Sequence, residues 1–216
     1  MIPGHVVALG DSCVALQFDA TIDPAVNAHC IALAAAIDRR ALRGVRDVVP
    51  TYNAVTVHFD PLAVDSHALV DEVVRLVQVD APPLEEQQRT IDIPVSYGGA
   101  GGPDLHAVAQ FAGCSEVDVV RLHTQATYRV YMLGFLPGFA YMGSVDARIA
   151  MPRLETPRMR VAAGSVGIAG SQTGIYPCDT PGGWRIIGHT SIRMFDVAKA
   201  EPFLLKAGDR VRFVAG

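Results

Sequence analysis

An α+β chain in two parts is what the sequence predicts: a small sandwich of helices on a sheet over residues 1–85, then short strands closing a barrel or sandwich over residues 86–216. Three observations carry this. Apolar runs of strand length alternate with apolar residues at helical spacing through the first third of the chain. Asp80 to Arg89, with Pro82-Pro83 among Glu and Gln, then reads as a linker. Beyond it, residues 134–190 hold ten of the twenty glycines and five of the fourteen prolines, interleaved with Phe135, Phe139, Tyr141, Tyr176 and Trp184. Disordered linkers share the glycine and proline but not the aromatic residues, so this stretch predicts packed β structure whose loops build a recognition surface.

In the first part, His5 to Leu9 and Cys13 to Phe18 are expected strands joined by the turn Gly10-Asp11-Ser12. Asp23 is placed to cap a helix with Pro24 in its first turn. Val26, Cys30, Leu33 and Ile37 give that helix one apolar face, and Gly44 ends the segment. Val45 to Val49 and Ala54 to Phe59 follow as strands, then a helix opened by Ser66, with Leu69, Val70, Val73, Leu76 and Val77 on one side. The order β-α-β-β-α predicts a ferredoxin-like sandwich. His29, His58 and His67 are scattered and read as structural or solvated.

The second part opens with the strand Thr90 to Val95 and the glycine-rich turn 98–102. Two short helices come next, Asp104 the expected cap of the first, Ser115 that of the second through an S-x-x-D box, with the second running to about His123. Tyr128 to Leu133, Arg185 to His189, Ser191 to Phe195 and Arg210 to Val214 are the expected strands, and their brevity and Gly/Pro turns favour a barrel or sandwich.

Charge and motifs exclude several classes. The first 85 residues carry five arginines against eleven acids, whereas the remainder carries thirteen basic residues against eleven acids. That weak positive excess excludes a general nucleic-acid binder, though sixteen of the eighteen basic residues are Arg, which suits bidentate contact with anions. Neither lysine, Lys199 nor Lys206, follows a glycine, so no P-loop is present. The histidines lack metal-ligand spacing, no M-K-M-like biotin segment occurs, and no apolar run reaches membrane-span length. The N-terminus lacks a signal-peptide pattern and the four cysteines form no C-x-x-C pair, which predicts a cytoplasmic protein with buried free thiols. Ser165, within Ala163-Gly164-Ser165-Val166-Gly167, lacks the first glycine of a nucleophile elbow and reads as a turn serine.

The strings YRVYMLGFLPGFAYMG (128–143), MPRLETPRMRVAAGSVGIAGSQTGIYP (151–177) and TPGGWRIIGHTSIRMFD (180–196) resemble subunit 1 of the allophanate hydrolase family. The likeness extends to LGDSCVALQF, DVVPTYNAVTVHFDP and LLKAGDRVRF, covering nearly the whole chain. That family includes the B subunit of 5-oxoprolinase and the kinase inhibitor KipI. The resemblance implies a cyclophilin-like barrel for residues 86–216. It also implies a role as the B subunit of an ATP-dependent 5-oxoprolinase, an amidohydrolase acting on a cyclic amide. The implied partners are an allophanate hydrolase subunit 2-like protein (the 5-oxoprolinase C subunit) and a LamB/YcsF-like protein (the A subunit). ATP would be bound by the assembly, with no metal and no covalent biotin in this chain. Two other functions stay open: a urea-carboxylase-type subunit 1 with biotin delivered by another chain, and a KipI-like inhibitor of a sensor histidine kinase.

Three positions depart from the family pattern: Ala162 and Ser191 replace prolines, and His189 replaces the arginine of I-G-R-T. A histidine holds an anion less firmly than an arginine once it loses its proton. His123 matches a histidine frequent in the family and serves either as a general acid–base or as a structural helix-end residue. Arg158, placed after Pro157, is expected to aim a guanidinium at a ligand or interface. Gln172 and Thr173 offer neutral hydrogen bonds suited to an amide or lactam. Phe139 and Tyr141 shape a loop or enter the core; Tyr176 and Trp184 stack on a flat ligand or fill the barrel. The expected catalytic set is therefore His123, Arg158 and Gln172, with Phe139, Tyr141, Thr173, Tyr176, Trp184 and His189 binding substrate.

Overall fold

The computed structural model describes residues 4–18, 22–78 and 89–216, with the side chains of 77 and 78 excepted. The expected linker, apart from Arg89, and the expected boundary at 85/86 lie outside the described residues. Contacts between Cα atoms divide the chain into two compact units, 1–87 and 88–216.

In the first unit, strands β1 (His5–Ala8), β2 (Cys13–Gln17), β3 (Val45–Pro50) and β4 (Ala54–Phe59) form an antiparallel sheet in the order β1-β2-β4-β3. Helices α1 (Pro24–Arg40) and α2 (Ser66–Gln78) supply the other layer. Strands β2, β4 and β3 with the two helices follow the ferredoxin-like path, and the N-terminal β1 flanks β2 at the sheet edge. The Asp23 carboxylate caps α1 by accepting from Ala25 N–H at 2.7 Å and Val26 N–H at 3.2 Å. Cys30, Leu33 and Ile37 of α1 and Leu69, Val73 and Leu76 of α2 are buried against Val14, Leu16, Val55 and Val57 of the sheet. Helix α1 ends earlier than its Gly44 signal, at Arg40, with Ala41 taking the left-handed cap conformation.

In the second unit, β5 (Thr90–Tyr97) leads through a short 3-10 turn to helices α3 (Leu105–Ala112) and α4 (Glu116–Thr124). Then follow β6 (Thr127–Leu133), β7 (Ala140–Gly143), β8 (Arg158–Val161), β9 (Ser165–Ala169), β10 (Gln172–Ile175), β11 (Thr180–Gly182), β12 (Arg185–His189) and β13 (Arg210–Ala215). Seven strands close a barrel in the order β10-β7-β6-β13-β5-β12-β9, while β8 and β11 form a separate two-stranded ribbon. Every barrel pairing is antiparallel except β5 with β13, the first and last strands of the unit. Ile93, Val130, Met142, Val166, Ile168, Ile187, Val211 and Phe213 fill the interior, and Leu105, Val108 and Leu122 of the helices pack with them. Each such burial contributes roughly 1.5–3 kcal/mol relative to exposure.

Ser115 caps α4 as expected: its hydroxyl accepts from Asp118 N–H at 3.1 Å, and its own N–H donates to the Asp118 carboxylate at 3.4 Å. Two expectations are corrected. Residues 191–195 are irregular, with Phe195 making only an isolated bridge to Phe203. Asp104 precedes α3 without a side-chain capping bond, because its carboxylate is engaged elsewhere. All four cysteines are free; Cys13 and Cys30 are buried, Cys114 is half-buried and Cys178 is exposed. Among the described residues, no helix is long and apolar enough to cross a membrane.

Candidate functional site

The expected site residues separate into three places. His123 and Thr173 lie in the barrel interior, fully buried. Strand alternation turns Thr173 inward on β10, where its hydroxyl donates to the Gly167 carbonyl at 3.0 Å. Having one proton, that hydroxyl accepts from His123 Nε2–H at 2.9 Å, so His123 Nδ1 accepts from the Tyr97 hydroxyl at 2.7 Å. A directed chain Tyr97–His123–Thr173–Gly167 results, spanning β5, α4, β10 and β9. Phe213 stacks on the imidazole at 4.5 Å, and the Tyr128 hydroxyl donates to the His123 carbonyl at 2.9 Å. Burial pushes the His123 pKa down to about 3 and raises those of Tyr97 and Tyr128. His123 is thus a neutral residue with both ring nitrogens committed. His123, expected as an acid–base or helix-end residue, and Thr173, expected at a ligand, both have their side-chain polar atoms engaged in this internal chain.

Phe139, Tyr141, Tyr176 and Trp184 do come together, but as a packed cluster rather than an open platform. Phe139 is its centre, with ring centroids 4.9 Å from Tyr141 and 5.3 Å from both Tyr176 and Trp184, all edge to face. Phe139, Tyr176 and Trp184 are buried with Val161 and Ile186; Tyr141 is half-buried. Burial leaves Phe139, Tyr176 and Trp184 without the free ring face that stacking on a flat substrate requires. Gln172 begins β10, half-buried, opposite Gly143 and Ala169, and does not border the groove described next.

Arg158 and His189 border an open groove of about 300 Å³, with Ala100, Gly101, Arg160 and Ser165. Arg158 and Arg160 project from one face of β8, because strand side chains alternate; Met159 between them is exposed on the other. The buried Asp104 carboxylate accepts from Arg158 Nη2 at 2.7 Å and from Ile186 N–H at 2.7 Å. That second bond uses a bulge in β12, where register against β9 shifts between Ile186 and Gly188. The backbone of the same loop latches to the bulge: Gly98 N–H donates to Ile187 O at 3.0 Å and Asp104 N–H to Ile186 O at 2.8 Å. Asp104 therefore fixes both a groove wall and the arginine beside it.

Asp179 accepts from Arg160 at 2.8 Å (Nε) and 2.6 Å (Nη2), and from Ala163 N–H at 2.9 Å. Gly164 follows at φ +81, and a Cβ there would collide with the Thr190 carbonyl oxygen, so the tight approach of these segments requires glycine. Ser165 and His189 are directly paired across β9 and β12. His189 Nε2 lies 2.9 Å from the Ala163 carbonyl; a carbonyl only accepts, so Nε2 carries a proton. Ser165, expected in a turn, is the buried first residue of β9. Sequence reasoning missed Asp104, Arg160 and Ser165 as site residues. An R-x-R pair read as a strand would have put both guanidiniums on one face. Among the described residues, no group of three or more His, Cys, Asp or Glu is arranged to hold a metal ion.

Comparison with known proteins agrees with this architecture. Residues 5–205 match the family model described as carboxyltransferase domain, subdomain C and D. The chain is 42% identical to the 5-oxoprolinase B subunit of Bacillus subtilis (strain 168), covering 97% of this chain and 92% of that protein. It is 44% identical to the 5-oxoprolinase B subunit of Escherichia coli O157:H7, covering 95% and 93%. The solved structure of TTHA0988 superposes with a TM-score of 0.83 at 36% identity; the match covers all of this chain and 40% of that one. With a family model across most of its length and near full-length relatives above 40% identity, the chain belongs to the carboxyltransferase domain subdomain C and D family.

Proposed function

We propose that this chain is the B subunit of an ATP-dependent 5-oxoprolinase. The assembly opens 5-oxoproline to L-glutamate, with an allophanate hydrolase subunit 2-like protein as its C subunit and a LamB/YcsF-like protein as its A subunit. The observation that carries the proposal is the 42% and 44% identity to proteins of that name, along almost the whole of each chain. The groove supports it chemically. A lactam resists water because amide resonance must be broken. Phosphoryl transfer from ATP to the lactam oxygen releases ADP and activates the ring carbon. One water adds there, the C–N bond breaks as the nitrogen takes a proton, and the acyl phosphate left behind is cleaved by a second water, giving the carboxylate and free phosphate. Arg158, aimed by Asp104, and the neighbouring Arg160 would stabilise the negative charge that develops on oxygen. The sequence has no P-loop, so nucleotide contacts are assigned to the assembly. Of the expected site residues, Arg158 and His189 act at the groove; His123 and Thr173 maintain the barrel beneath it.

Co-purification with the partner proteins and an assay of ATP-dependent glutamate release test the proposal. The assembly is expected to turn over 5-oxoproline and the isolated chain is not. Turnover by the isolated chain at the rate of the assembly would overturn the division of labour, and no turnover by the assembly would overturn the function.

A further inference from the structure

Among the described residues, the groove is lined by two guanidiniums and by no carboxylate, since Asp104 and Asp179 brace the arginines without bordering it. Each arginine gives up only part of its donor set. Asp104 takes Nη2 of Arg158, and a long 3.5 Å contact joins Nη1 to the Trp184 carbonyl; Asp179 takes Nε and Nη2 of Arg160. No described residue accepts from Arg158 Nε or Arg160 Nη1. Ser165 is only 5% exposed, yet its hydroxyl has no hydrogen-bond partner among the described residues. That hydroxyl is not among the side-chain atoms shut away from solvent; it opens onto the groove beside two braced cations, where it is placed to donate to an acceptor that enters. His189, its Nε2 proton given to the Ala163 carbonyl, keeps Nδ1 as the unclaimed nitrogen of its ring.

We infer that this groove is a binding site for a small oxyanion, a phosphoryl or carboxylate group held by Arg158 and Arg160 with Ser165 donating a further hydrogen bond. The bracing carboxylates fix the guanidiniums in advance, so little side-chain freedom is lost when the anion enters. Placing that anion in the ATP-dependent reaction rests on the function proposed above; the binding itself does not.

The test is a titration of the isotope-labelled full chain, followed by NMR at fixed chloride concentration, with inorganic phosphate and separately with 5-oxoproline. Saturable shifts are expected at amides of 99–104, 158–165 and 186–190. Arg160→Gln, at an exposed position where folding is safe, is expected to weaken binding about tenfold. Ser165→Ala is expected to weaken it severalfold. Saturation by phosphate alone assigns the phosphoryl group, by 5-oxoproline alone the carboxylate, and mutual competition assigns one site to both. No saturation by either, or binding unchanged in Arg160→Gln, overturns the site. Phosphate binding without turnover by the assembly removes the proposed reaction and keeps the site; turnover without binding does the reverse.

Discussion

His123 and His189 sit in the same unit and use their rings in opposite ways. Both nitrogens of His123 are engaged inside the barrel, by Tyr97 at 2.7 Å and Thr173 at 2.9 Å, with Phe213 stacked on its face. His189 has one nitrogen tied to the Ala163 carbonyl and borders the groove, across the strand pairing from a serine whose hydroxyl has no partner among the described residues. The same glycine-rich stretch feeds both places through β9, which carries Ser165 at its start and Gly167 two residues later. The comparison teaches that a saturated polar network belongs to the fold, whereas a partly satisfied one beside a cavity is available to a ligand.

The largest effect expected from breaking the comparison is at His123. His123→Ala deletes a stacked ring, strands the Tyr97 hydroxyl and removes the donor to Thr173, and is expected to cost about 4 kcal/mol of stability. His189→Ala removes one half-exposed hydrogen bond and is expected to cost about 1 kcal/mol or less. Urea unfolding of both variants measures the difference; equal losses would erase the distinction. Acid sharpens it. The unfolded chain binds a proton at this histidine near the ordinary 6.5, whereas the folded chain resists until about 3. The unfolded state therefore takes the proton first. His123 gives its full contribution above about 6.5, and that contribution is lost as pH falls toward 3. Over that window the stability of the wild type is expected to fall with about one proton more slope than that of His123→Gln. Parallel slopes would mean that the ring is not held neutral.

Asp104 comes next. Asp104→Asn keeps the size but leaves the Arg158 guanidinium, only a third exposed, without its counter-charge, and weakens the bond to Ile186 N–H. A loss of about 2 kcal/mol is expected, below the fully buried limit because Arg158 retains access to water. In a double-mutant cycle, Arg158→Gln is expected to recover part of that loss. Additive losses would show that the two residues act independently.

The helices are the most legible part of this molecule. Asp23, Ser115 and the apolar spacing of Cys30, Leu33 and Ile37 are local signals, read within a few residues, and each lies where the sequence places it. Strands β7 to β11 are not legible in this way. They are three to five residues long and rich in glycine, and they gain definition from partners distant in the chain. The same limit hides the site. Asp104 looks like a helix cap because it precedes α3, but its carboxylate meets Arg158 and Ile186, 54 and 82 residues away. The aromatic residues announce a recognition surface by composition; burial turns three of them into the packing beneath it.

The smallest expected effects give the sharpest comparison, between Ser165 and Gln172. By sequence, Gln172 is the better ligand contact, since an amide both donates and accepts. In the structure, it starts β10 away from the groove, while Ser165 lines the groove with a hydroxyl that has no partner among the described residues. Ser165→Ala is therefore expected to lower kcat/KM of the assembly roughly tenfold, the effect of one lost hydrogen bond to a charged oxygen. The isolated variant should unfold at the wild-type urea midpoint, because the change leaves no buried partner unsatisfied. Gln172→Ala is expected to stay within about twofold of wild-type kcat/KM, since Gln172 does not line the groove. Steady-state kinetics on both variants, with their urea midpoints as controls for folding, decides between the two residues. If Gln172→Ala loses activity at an unchanged midpoint while Ser165→Ala does not, the reacting groups lie on the β10 side of the barrel, and Arg158 and His189 border a groove that the reaction does not use.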